Sequence, residues 1–339
     1  MQVFGEVDGT PVHEIAIRSR AGAEARILTW GAVIRDLVVP AREGSQRVVL
    51  GLERIEDYVA HSPYFGAIVG RYANRIGEAR FTLDGETHRL DVNWGGRHQL
   101  HGGSRGFGSR IWSLVDHTPS SATLALVSAD GDMGYPGRLA ALCTYAFREP
   151  ATLTVTLEAT CDRPSPVNLT THGYFNLDGS PTIAEHELTI EGDFITPTTP
   201  DLIPTGEIRA VAGTPYDFRK LRPIGPATEG AAYDTNFVLL GGARPGGLAH
   251  AATLLSRRSG VVLDLWTTEP GLQFYDGHLL DMKVPGLGGA AYRARGGLCL
   301  EPQRFPDGPN RAHFPPCILA PGQVSRQASE LRFSTADGL

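Results

Sequence analysis

The segment ATLTVTLEATC, residues 151–161, alternates small or apolar side chains with polar ones along its length. A period of two sends successive side chains to opposite faces, the pattern of a half-buried β-strand. Further candidate strands are ARILTW (25–30), VIRDLVV (33–39), RVVLGL (47–52), ARFTLDG (79–85), ATLALVSA (122–129), ALCTYAF (141–147), HELTIEG (186–192) and GVVLDLWTT (260–268). The 41 Gly and 24 Pro suit many strands joined by turns better than a helical protein. Asp84-Gly85, between FTL and THRL, predicts a type I′ hairpin. Only LERIEDYVA (52–60) predicts a short helix, stopped at Ser62-Pro63. The glycine-rich GGARPGG (241–247) is too short for a linker and is predicted as a hairpin loop. These features predict an all-β chain forming one large domain over residues 1–339, a sandwich of two broad sheets.

Charge and composition exclude several function classes. The net charge is −6 with no basic run, which argues against nucleic acid or an anionic membrane surface as partner. No stretch approaches 18 apolar residues, so no membrane span is expected. MQVFGEVDGT has neither a basic nor an apolar leader region, and a cytoplasmic location is expected. Cys143, Cys161, Cys299 and Cys317 are too widely spaced for a CxxC metal site or a disulfide scaffold. Three of them sit in apolar surroundings and are expected to be buried free thiols.

Polar side chains gather in five places. LCLEPQRFPDGPN (298–310) ends an apolar run on Glu301, at the expected boundary between strand and loop. GRYANRIG (70–77) carries Arg71, Asn74 and Arg75 on a loop between glycines. Arg71 suits a fork donor to ligand hydroxyls or a carboxylate, while salt bridges holding the loop are the alternative, more so for Arg75. RHQLHGGSRGFG (97–108) holds His98 and His101 three residues apart, with no acidic partner or third His nearby. Metal ligation is therefore disfavoured against a hydrogen-bonding or packed role for His101, whose following glycines let backbone pass close to a ligand. In PSPVNLTTHGYFNLDG (164–179), strand alternation would place Asn168, Thr170, His172, Tyr174 and Asn176 on one face. Gly173 threatens that alternation, because glycine within a strand marks a bulge. In AAYDTNF (231–237), Asp234 fits a site carboxylate or a turn cap equally well.

No GxSxG elbow, nucleophilic cysteine signature, P-loop or dinucleotide fingerprint occurs. Two histidines, two carboxylates, an arginine and several amides remain, a set suited to proton transfer on a polyhydroxylated ligand. Opening a cyclic hemiacetal needs a base at the anomeric hydroxyl and an acid at the ring oxygen, with no metal or cofactor.

GRYANRI, LHGG, SADGDMGYPG, NLTTHGYFNL, LIPTGE, GTPYDFR, TTEPGLQFY and LEPQRFPDGPN together closely resemble the aldose 1-epimerase (galactose mutarotase) family, in order from about residue 25 to 325. The resemblance implies a large antiparallel β-sandwich, the supersandwich. It also implies an isomerase that exchanges α and β anomers of a free aldose: galactose, glucose, xylose or arabinose. It makes Glu301 the general base and His172 the general acid, kept protonated with help from Glu301 and Asp234. Arg71, His101 and Asp234 become sugar-binding residues, with Asn74 and Tyr174 beside them. No cofactor is implied, and the expected assembly is a monomer or homodimer. Departures are Thr235 where His is common, His98 for Asn, Pro302 for Thr and Gln323 for Glu. Thr235 and His98 are expected to flank the pocket and bear on sugar specificity. A phosphorylated or modified sugar, with Arg304 as the extra cation, is one alternative. A non-catalytic sugar-binding sandwich is another, and a glycosidase using Asp234 with Glu301 is a third.

Overall fold

The computed structural model describes residues 1–225, 232–240 and 247–336. Its strands form antiparallel sheets, as the alternation predicts. The broadest has nine strands, in the order Ser113–Thr118, Ser121–Ser128, Leu139–Arg148, Thr152–Cys161, Ser325–Thr335, Val261–Thr267, Ala249–Leu255, Glu187–Ile190 and Arg222–Pro223. A six-stranded sheet runs Tyr174–Phe175, Leu298–Gln303, Gly271–Tyr275, Asp234–Val238, Phe194–Thr196 and Arg209–Ala210. A five-stranded meander covers Gln2 to Arg47. One apolar cluster draws on all three, including Ile15, Leu37, Leu157, Leu265, Phe274, Leu300 and Leu331. Alternation supplies it: Leu153, Val155 and Leu157 are buried while the threonines between them are half-buried.

Local expectations meet the structure unevenly. Asp84 and Gly85 both have positive φ, at 51° and 82°, and close the hairpin between Arg80–Leu83 and Glu86–Arg89. The helix lies at Ile55–His61, three residues later than LERIEDYVA predicts, because Leu52 is drawn into a bridge with Gly286. Of RVVLGL only Arg47 lies in a strand, since Val49 and Leu52 make single bridges to different partners. The hairpin loop predicted at GGARPGG spans residues 241–247. Residues 241–246 lie outside the described residues, and the flanking strands Asp234–Val238 and Ala249–Leu255 belong to different sheets. Cys143, Cys299 and Cys317 are buried free thiols, and Cys161 is half-buried.

The turn from Val261–Thr267 to Gly271–Tyr275 joins the two large sheets and carries Glu269, only 7% exposed. Burial pushes its carboxyl up to about 7, with Arg304 partly opposing. Between about 4.5 and 7 the folded chain therefore holds a proton that the unfolded chain has released. Stability falls as pH rises through that window. Glu269→Gln removes the cost: thermal melts should show little change at pH 4 and a gain of about 2–3 kcal/mol at pH 8.

Candidate active site

The six-stranded sheet has two unlike faces. Thr235, Phe237, Leu272, Phe274, Leu298 and Leu300 point one way, and all but Thr235 join the core. The register sets Asp234 beside Tyr275, Tyr275 beside Cys299, and Cys299 beside Tyr174, on the other face. Thr196, Asn236, Gln273 and Glu301 form the adjoining cross-strand row. A cavity of about 290 Å³ opens over this polar face. Its lining includes Arg75, His101, His172, Asp234, Glu301 and Trp94.

Glu301 lies within the Leu298–Gln303 strand and is 2% exposed, so it forms the pocket floor and not the rim expected from a strand ending at Leu300. The strand passes through Pro302 because, beyond Cys299, it pairs only with Gly271–Tyr275. His172 ends the strand Thr170–His172, which pairs with Ala67–Val69. At Gly173 the chain changes partner, and Tyr174–Phe175 joins the Leu298–Gln303 strand instead. The predicted polar face is thereby split. His172 and Tyr174 reach the pocket, whereas Asn168, Thr170 and Asn176 donate to backbone carbonyls.

The rings hold one another. His172 stacks on Tyr174 with centroids 5.3 Å apart, and Tyr64 lies against both His172 and His101. His101 Nδ1 accepts the Asn74 N–H at 3.1 Å. Its remaining nitrogen therefore carries the hydrogen of the neutral ring and presents a donor. His101, His172 and Glu301 bring ligand atoms within 4.8 Å, but a donor N–H suits a hydroxyl oxygen and not a cation. The glycines after His101 serve the backbone: a Cβ on Gly102 would stand 1.9 Å from the Gly70 carbonyl oxygen.

The two arginines of GRYANRIG exchange their expected roles. Arg71 is 1% exposed and points away from the pocket, donating to Ser128 Oγ, Ala129 O, Pro136 O and Gly137 O. It caps the SADGDMGYPG turn. Arg75 is the cavity's arginine, 3.2 Å from Asp234 Oδ2 and 4.6 Å above the Trp94 ring. Asn74 Oδ1 accepts the Arg75 backbone N–H at 2.9 Å. Gln273 donates to Asp234 Oδ1 at 2.6 Å, so both Asp234 oxygens are engaged. Neither Thr235 nor His98 lines the pocket. Thr235 faces away, and His98 accepts the Glu78 N–H beside a separate cavity. Arg304 lies in another cavity, with Cys317 and Gln323. Trp94, Tyr64 and Tyr275 also line the cavity and were not picked out from sequence, and Arg75, for which a loop-holding salt bridge was the favoured alternative, lines it too.

Burial governs the titration of the site. It lifts Glu301 well above the usual carboxylate range, with Asp234 adding to the rise and Arg75 opposing it. It also pushes His172 down to about 4, opposed by its own backbone carbonyl and Asp234. The expected imidazolium is thus not the resting form. Glu301 Oε1 and His172 Nε2 stand 3.8 Å apart, and Glu301 Oε2 has no hydrogen-bond partner. A carboxyl and an imidazole so placed can give and take protons from a single small ligand.

A strand-built sandwich with an acid–base pair in a small polar pocket defines a class of proton-transferring, carbohydrate-sized sites. The family model for aldose 1-epimerase matches residues 13–332. A galactose mutarotase from Bos taurus is 42% identical over 320 residues, covering 91% of each chain. An aldose 1-epimerase from Escherichia coli is 38% identical, covering 96% of each. The crystal structure of a GalM/aldose epimerase homologue from C. elegans superposes with a TM-score of 0.90 at 33% identity, covering 96% of this chain and 100% of that one. The chain belongs to the aldose 1-epimerase family. It is accordingly an isomerase, with aldose mutarotase function.

The arginine exchange is testable. Arg71→Met should destabilise the fold by about 3 kcal/mol, because buried carbonyls lose their donor, while KM of the folded fraction stays unchanged. Arg75→Met should raise KM at least about tenfold with a native circular-dichroism spectrum.

Proposed function

We propose that the protein opens and recloses the pyranose ring of a free aldose through Glu301 and His172. Glu301 takes the proton of the anomeric hydroxyl, and His172 gives one to the ring oxygen; both oxygens are bonded to one carbon. The open aldehyde turns about C1–C2 and closes on its other face, with the proton roles reversed. His101, Asn74 and the Asp234–Arg75 pair hold the remaining hydroxyls. Trp94 and Tyr174 supply apolar surface for the ring's C–H face. The observation that carries this reading is the buried pair, 3.8 Å between Glu301 Oε1 and His172 Nε2.

The resting pair carries its one proton with neither partner charged. A sugar hydroxyl donating to Glu301 Oε2 favours the carboxylate, and the proton passes to the imidazole. The charged pair is then made only when substrate supplies the hydrogen bonds that water gave each group outside.

The alternatives lack support in the geometry. A sugar phosphate would need a free cation, but Arg75 is paired with Asp234 and Arg304 lies elsewhere. A glycosidase would need a second available carboxyl, and Asp234 is held by Arg75 and Gln273. A mere binding module has no use for a matched acid and base. The proposed working form is a monomer or homodimer of this single domain, acting in the cytoplasm on sugars without phosphate.

Polarimetry on freshly dissolved α-galactose, α-glucose, α-xylose and α-arabinose tests the proposal. The protein should accelerate mutarotation of at least one, and Glu301→Gln and His172→Asn should each lower kcat at least about 100-fold while still binding sugar. Acceleration of none, or undiminished turnover in either variant, would contradict it.

A further inference from the structure

Arg304 is a cation that ring opening does not use. It follows the Leu298–Gln303 strand directly, and the alternation that turns Glu301 into the sugar pocket sends Arg304 to the other side. There it is half-buried and lines a second cavity of about 360 Å³, which shares no lining residue with the first. Its backbone is pinned: Asn168 Oδ1 accepts the Arg304 N–H at 2.8 Å, and Asn168 Nδ2 donates to the Arg304 carbonyl at 3.2 Å. Its guanidinium, among the described residues, makes neither an ion pair nor a hydrogen bond. Arg71 and Arg75 differ, the first committed to carbonyls and the second to Asp234.

The cavity around Arg304 holds donors and no carboxylate. Gln323 Oε1 accepts the Ala320 N–H at 3.2 Å, so the amide N–H groups are its free end. Ser325 adds a hydroxyl, and Cys317 a thiol that burial pushes up to about 11 and so keeps neutral. The other lining side chains are apolar. Gln323 is also one of this chain's departures, standing where Glu is common, so no acid at that position answers Arg304. Two carboxyls act on the cavity from outside its lining. Asp307 is taken by Arg311 and by the Gly77 N–H. Glu269 is lifted by burial to about 7, with Arg304 only partly opposing, and is therefore uncharged in mildly acidic solution. What faces the cavity is one uncommitted guanidinium fork among neutral donors. That set matches an oxyanion, two of whose oxygens can meet the fork while another accepts from the amide or the hydroxyl.

We propose that this cavity is a binding site for a small oxyanion, a phosphate or a carboxylate, held by the Arg304 fork with Gln323 and Ser325 as further donors. The volume takes such a group together with water, which fills about 30 Å³ per molecule. The site is separate from the sugar pocket, so anion and aldose bind side by side and do not compete.

The test is isothermal titration calorimetry of the full chain at pH 6 and fixed low ionic strength, with inorganic phosphate in one arm and acetate in the other. At least one should bind with a Kd of about 1 mM or tighter, the affinity of two or three charge-assisted hydrogen bonds, and the tighter of the two names the group. Arg304→Gln should weaken binding at least about tenfold. Gln323→Glu, at an exposed position, should do the same by giving Arg304 an internal partner, and it decides the matter if the Arg304 variant does not fold. Saturating galactose should leave the anion's Kd unchanged. Binding of neither anion, or undiminished binding in either folded variant, overturns the proposal. So does a Kd raised by galactose, which would place the anion in the sugar pocket.

Discussion

The site depends on the register of three antiparallel strands. Asn236, Gln273 and Glu301 stand abreast, and two residues along each strand so do Asp234, Tyr275 and Cys299. A slip of one residue in Leu298–Gln303 would turn Leu300 into the pocket and Glu301 into the apolar core. The register is held from behind, because Phe237, Leu272, Phe274, Leu298 and Leu300 are each at most 2% exposed. Packing on one face thus fixes the chemistry on the other. Burial of each of these side chains is worth about 1.5–3 kcal/mol, whereas a misplaced buried carboxylate costs several.

The same packing dries the pocket. Glu301, His172 and His101 line it and are at most 6% exposed, and Glu301 Oε2 lacks a protein partner. Unsatisfied buried acceptors are costly for a fold and useful for a site, since a polyhydroxylated ligand supplies the missing donors. Asp234 is treated differently. Arg75 and Gln273 engage both of its oxygens, whereas Glu301 Oε2 beside it is left without a protein partner.

Much of this was legible in the chain. Strand alternation gave the architecture, and the family's motifs brought Glu301, His172, His101, Asp234, Asn74 and Tyr174 to one cavity. What was hidden has identifiable causes. Arg71 and Arg75 stand four residues apart on an irregular loop where Asn74 has a φ of 62°, so no simple period says which faces the ligand. Arg71 is held largely by carbonyl oxygens, which every residue has and which leave no mark in a sequence. Trp94 and Tyr64 arrive from loops by tertiary packing alone. Pro302 made the strand that carries Glu301 look three residues shorter than it is, and the resting charge of His172 depends on burial that no local pattern reports.

The central claim is that burial poises Glu301 and His172 as a pair sharing one proton. The pH dependence of kcat/KM for mutarotation, corrected for the uncatalysed rate, tests it most directly. A second proton on the pair stops catalysis at low pH, and loss of the only one stops it at high pH. Because burial holds His172 down to about 4, the acid limb should lie near pH 4. With Glu301 lifted well above its usual range, the alkaline limb should lie well above the titration of an ordinary carboxylate. An acid limb near 6.5, the value of a free imidazole, would contradict the account.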